Sequence, residues 1–124
     1  MEPTADYQID IDLKQKANGT KYAVPRLMPD VMYVGKTVLY RSADGDVRIE
    51  FHDLDISDAH SSFHSPYVDP NDNERTIVTS LEPPITLAQK GTFIGRCYVT
   101  PPGQQTAFGW STDNPESGGN HVVK

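Results

Sequence analysis

The sequence predicts an all-β fold, an antiparallel sandwich or barrel built by residues 1–124 as a single domain. Three observations predict it. Apolar and polar residues alternate with period two in several short stretches. No helical period persists beyond about two turns. Ten prolines and nine glycines punctuate the chain with turn signals. A chain of 124 residues is long enough to bury a two-layer core.

Each element can be justified in order. Residues 7–14 (YQIDIDLK) alternate without a break, which buries one face of a strand and wets the other. Ala17-Asn18-Gly19-Thr20 is a turn; it also spells a glycosylation sequon, taken as coincidence because no export signal precedes it. Residues 22–24 are a short extended piece, and Pro25 and Pro29 keep the next segment irregular. Residues 31–34 resume a strand, and Gly35-Lys36 turns it. Residues 37–41 (TVLYR) are rich in β-branched and aromatic side chains. Asp44-Gly45 is a hairpin signal, and residues 47–51 then alternate with Val47, Ile49 and Phe51 on one face. Residues 52–73 form an irregular middle. Strands are expected at 77–80, 85–87 and 92–99, then a long Pro- and Gly-rich loop over 100–120 and a closing strand at 121–123.

Composition narrows the function. A formal net charge of −6, with eleven scattered basic residues, disfavours nucleic acid and anionic membrane surfaces. No apolar run is long enough to insert into a membrane. The start Met1-Glu2-Pro3 has neither the basic nor the apolar region of a leader, so the expected compartment is the cytoplasm; the alternative is a periplasmic or extracellular protein whose leader has been removed. One cysteine excludes an internal disulfide and a multi-cysteine zinc cluster.

Two hairpins carry a resemblance. Gly35-Lys36-Thr37-Val38-Leu39-Tyr40 with Val47-Arg48-Ile49-Glu50-Phe51, and Cys97, Pro102-Gly103-Gln104, Gly109-Trp110 and Gly118-Gly119-Asn120-His121-Val122-Val123, follow the pattern of the cupredoxin family of plastocyanin- and azurin-like proteins. The resemblance covers about residues 30–51 and 91–123. It implies a Greek-key β-sandwich. It also implies that the type-1 copper ligands are largely replaced: Val47 stands for the first histidine, Gln104 for the loop histidine and Trp110 for the axial methionine, with only the thiolate position, Cys97, kept. Val and Trp cannot ligate a metal, so no metal and no cofactor are expected.

The remaining candidates are few. Trp110, Phe108, Gln104 and Tyr98 are read as a patch for a partner protein or small ligand; the competing reading makes Trp110 a plug of the core at the axial position. The alternative function is a copper or zinc protein, metal-handling or electron-transferring, with a site assembled from Cys97, His52, His60, His64 and His121. Asp53-x-Asp55-x-Ser57 and Asp69-x-Asn71-x-Asn73 echo the start of a calcium loop but lack the glycine at its sixth position and the glutamate at its twelfth. No phosphate loop or nucleophile elbow occurs, so no enzymatic activity and no catalytic residue is expected. The chain reads as a non-enzymatic binding module, a monomer or an edge-strand dimer, with function on the loops 52–73 and 100–120, which are expected near one end of the sandwich.

Overall fold

The computed structural model describes residues 4–52, 65–68, 75–111 and 113–124. Nine strands lie among them: β1 (Tyr7–Gln15), β2 (Lys21–Leu27), β3 (Thr37–Arg41), β4 (Asp46–His52), β5 (Ile77–Thr79), β6 (Ile85–Thr86), β7 (Gly91–Thr100), β8 (Phe108–Gly109) and β9 (Gly118–Val123), with a 3-10 turn at Pro115–Ser117. They form two sheets, ordered β2-β1-β3-β6 and β5-β4-β7, with β8 and β9 both pairing with β7. The fold is an all-β sandwich.

The period-two stretches behave as their chemistry requires. Ile9 and Ile11 of β1 are buried while Gln8, between Tyr7 and Ile9, is exposed. Val47, Ile49 and Phe51 of β4 and Phe93, Cys97 and Val99 of β7 point into the same core from the other sheet. β1 lies inside its sheet, antiparallel to β2 on one side and parallel to β3 on the other. Tyr67 and Leu87, on connections, complete the core.

Three expectations about the strands change. β2 runs straight through Pro25, which is opposite Ile11. On an edge strand a residue without an N–H breaks no ladder. Residues 31–34 are not a strand but a strap: Met32 alone bridges Val123, its N–H donating to the Val122 carbonyl (2.8 Å) and its carbonyl accepting from Lys124 (2.9 Å). The loop 100–120 contains β8 and the 3-10 turn, and β9 starts three residues before the expected 121. Gly118 and Gly119 hide this strand from a propensity reading.

The two long loops do not leave from one end. β4 and β7 are antiparallel, with Asp46 opposite Thr100 and His52 opposite Ile94. The chain therefore leaves His52 at the end of the sheet away from Thr100. At the Thr100 end, Gly45 (φ 155°) is required, because a Cβ there would run into the Thr100 carbonyl. Among the described residues no helix is long and apolar enough to cross a membrane.

Candidate functional site

Of the positions matched to the copper ligands, Val47 and Cys97 are buried in apolar surroundings. Val47 is paired across the sheet with Val99, and both are buried. Cys97 sits one inward pair further along, opposite Ile49, so the thiol and position 47 are not cross-strand partners. The Val47 backbone is held from both sides by Ser80, whose Oγ accepts its N–H (2.9 Å) and whose N–H donates to its carbonyl (3.0 Å). Burial pushes the Cys97 thiol up to about 12, and its Sγ lies 3.6 Å from the Gly95 carbonyl. At neutral pH it is a protonated, buried thiol.

The histidines do not gather. His121 is inside the core; His52 ends the outward-facing set Arg48, Glu50, His52 of β4, on the other face of the same sheet. His60 and His64 lie outside the described residues, as do the two calcium-like stretches. Among the described residues no group of three or more His, Cys, Asp or Glu side chains converges.

His121 instead belongs to a closed hydrogen-bond chain. Its Nδ1 is 3.0 Å from the Gly119 carbonyl, its Nε2 is 3.0 Å from Tyr40 Oη, and Tyr40 Oη is 2.8 Å from Tyr67 Oη. A carbonyl only accepts, so Nδ1 carries the proton. Nε2 then accepts from Tyr40, and Tyr40 accepts from Tyr67. Phe51 packs edge-on against both the His121 ring (5.0 Å) and the Tyr67 ring (5.5 Å). Burial lowers the imidazole to about 4 and raises both phenols, so all three groups are neutral near pH 7.

The aromatic residues of the last hairpin each carry a cation. The Arg96 guanidinium stacks 3.7 Å from the Trp110 ring centroid, Arg48 is 4.6 Å from Tyr98, and Lys21 is 5.5 Å from Phe108. Alternation explains the first two. With Cys97 and Val99 inward, Arg96 and Tyr98 face outward, beside their cross-strand partners Glu50 and Arg48. Trp110 lies on this outer face and does not plug the core: a Cβ on Gly118, the partner of Arg96, would be 3.4 Å from its Cδ1 and 3.7 Å from Ile94 Cγ2. Glu50 pairs with Arg48 (3.1 Å), whereas Arg96, buried to 9% exposure, has no carboxylate within ion-pair distance among the described residues. Gln104 is exposed in the turn its N–H closes onto the Pro101 carbonyl (3.1 Å), and it takes no part in the three cation–aromatic stacks.

The sequence singles out Tyr98, Phe108 and Trp110 by residue type but not Arg48 and Arg96, which stack on two of them. The missed signal was Arg48-x-Glu50 and Arg96-x-Tyr98 at the outward positions of neighbouring strands. Comparison with protein-family models, with curated proteins and with solved structures finds no match.

Proposed function

We propose that this chain is a cupredoxin-like Greek-key sandwich without a type-1 copper centre, and that it acts as a non-enzymatic binding module through the outer face of the β5-β4-β7 sheet. The Greek-key reading is supported by the strand order, in which β1 and β3 are parallel neighbours and the chain passes between the sheets after β3, β5 and β6. The absence of a copper centre is supported by the apolar Val47–Val99 pair and the buried Cys97 thiol.

The observation that carries the binding reading is the Arg96–Trp110 stack beside the Arg48–Tyr98 stack. Arg, Trp and Tyr are the residues in which interface binding energy concentrates. Their mutual stacking holds them rigid before a partner arrives, which lowers the entropy cost of association. The chain is acidic overall, but this patch contributes two guanidinium groups against one carboxylate, Glu50. A protein segment presenting a carboxylate to the Arg48–Tyr98 and Arg96–Trp110 patch is the complementary partner.

Short random peptides displayed against the immobilised protein test this. Enrichment of Asp- or Glu-bearing sequences that is lost with Arg96→Ala is the expected result. No enrichment, or enrichment that survives Arg96→Ala and Trp110→Ala together, overturns it. Copper titration followed by visible absorption tests the other half: an intense blue band contradicts the assignment of Val47, Gln104 and Trp110.

A further inference from the structure

The 3-10 turn Pro115–Ser117 closes over polar atoms that it leaves unmatched. Asn114 Oδ1 and Ser117 Oγ on the turn, and Arg96 Nε and Trp110 Nε1 on the stack beside it, are each buried with no hydrogen-bond partner among the described residues. The four belong to one place in the fold. Arg96 stacks on Trp110 at 3.7 Å and stands opposite Gly118, the residue after Ser117. A Cβ on Gly118 would be 3.4 Å from both the Pro115 carbonyl and Trp110 Cδ1, the carbon that carries Nε1. The turn therefore lies along the N–H edge of the indole. Asn114 holds the N-cap position but makes no side-chain cap, so the turn lacks the bond an asparagine there usually supplies.

A buried donor or acceptor without a partner gives up its hydration and gains no bond in return. Four of them in one contact raise the free energy of the closed turn, and water answers all four once the turn lifts. Against this stand three backbone bonds: Asn114 N–H to the Ser111 carbonyl (3.0 Å), Ser117 N–H to the Asn114 carbonyl (3.1 Å) and Gly118 N–H to the Pro115 carbonyl. A clasp comes from the β1–β2 connection, where Lys16 Nζ pairs with Glu116 (3.1 Å) and donates to the Asp113 carbonyl (2.9 Å). An exposed pair of this kind is weak and screened by salt. Segments tied this lightly open locally, well below the free energy of global unfolding.

We infer that this turn is a lid over the Arg96–Trp110 stack, clasped by Lys16, and that lifting it presents the Arg96 Nε–H and Trp110 Nε1–H donors to the partner's carboxylate. The inference rests on the partner reading above and adds the step that uncovers its cation. At 9% exposure Arg96 is nearly closed to solvent, whereas Arg48 is open. The Trp110 backbone is held separately, its N–H donating to the Cys97 carbonyl (3.1 Å), so the placing of the indole beside Arg96 does not depend on the turn.

Native-state hydrogen exchange of the isotope-labelled full chain tests the inference. The amides of Asn114, Ser117 and Gly118 are expected to share one opening, at least about tenfold more populated than the opening of the β4 amides. Ser117→Ala removes an unmatched hydroxyl from the closed state and is expected to lower that opening about fivefold or more. Lys16→Met releases the clasp and is expected to raise it about two- to fivefold. Exchange at the β4 level, or an opening that neither variant moves, overturns the lid. An enriched Asp- or Glu-bearing peptide is expected to bind Ser117→Ala more weakly, by up to the factor by which the opening falls, because Arg96 is reached only in the open form. Unchanged peptide affinity in a variant whose opening has fallen overturns the link between lid and partner. Exchange is read on the free protein, so it decides the lid even where no acidic peptide is captured, and that failure belongs to the partner reading alone.

Discussion

The imidazole of His121 occupies the space in which residue 95 would carry a side chain. A Cβ on Gly95 would stand 2.7 Å from His121 Cε1 and 2.9 Å from Ile49 Cγ2. Gly95 is the inward-facing residue of β7 between Phe93 and Cys97, and its missing side chain makes room for a polar ring inside an apolar sandwich.

Gly95→Ala is accordingly expected to destabilise the protein by about 1–3 kcal/mol, the range of core overpacking. Neither obstructing atom belongs to a flexible chain end, so relaxation is costly. Chemical denaturation with an unchanged m-value and a lower midpoint is the expected readout. A wild-type midpoint sinks this role for the glycine.

Tyr40→Phe removes the hydroxyl that joins His121 to Tyr67 and strands a buried acceptor on one side and a buried donor on the other. The expected loss is about 1–3 kcal/mol. Tyr67→Phe removes only the terminal hydroxyl and is expected to cost less. Equilibrium unfolding of the two single variants orders the chain, and equal losses contradict a proton order running from Tyr67 through Tyr40 to His121.

The same histidine sets an acid sensitivity. Its folded value, lowered to about 4 by burial, lies below the ordinary 6.5 of an unfolded chain. The unfolded state therefore binds the extra proton between those values. Stability is fully present above about pH 6.5, falls as the pH is lowered towards 4, and gains no further loss from this group below that. The total is about 3 kcal/mol. Urea midpoints measured from pH 7 to pH 4 check it, and His121→Gln is expected to flatten this window while lowering the plateau.

Cys97 is expected to resist thiol reagents in the folded protein. With its thiol at about 12, only about one molecule in 10⁵ carries a thiolate at pH 7. Labelling that becomes stoichiometric only in denaturant is the expected pattern, and fast labelling of the native protein contradicts the buried placement.

The strands were legible because period-two burial is a local property: β3 matches residues 37–41, and β1, β4 and β7 extend by one or two residues at their ends. β8 was not legible. Phe108-Gly109 is two residues long and exists because Val99 and Tyr98 are opposite, a partnership that no window of sequence contains. Site residues divide in the same way. Tyr98, Phe108 and Trp110 stood out by type, but the cations stacked on them come from β4, β7 and β2, so only the folded arrangement identifies them. Cys97 aligned with the thiolate position in one dimension, yet the register puts Val99 opposite Val47. The buried role of His121 depends on Tyr40, which is 81 positions away.

The placement of β1 has a consequence for truncation. It opens the sequence but does not form a border of its sheet: it is the seam joining β2 to β3 and β6. Asp6 accepts from the Thr37 backbone and donates its own N–H to Thr37 Oγ1, 31 positions ahead, so the seam is stitched from the residue just before it. Residues that look expendable at the head of the chain are the keystone of this layer. Removing them would part β2 from the rest, whereas losing β5 or β6 would only narrow a layer that remains whole.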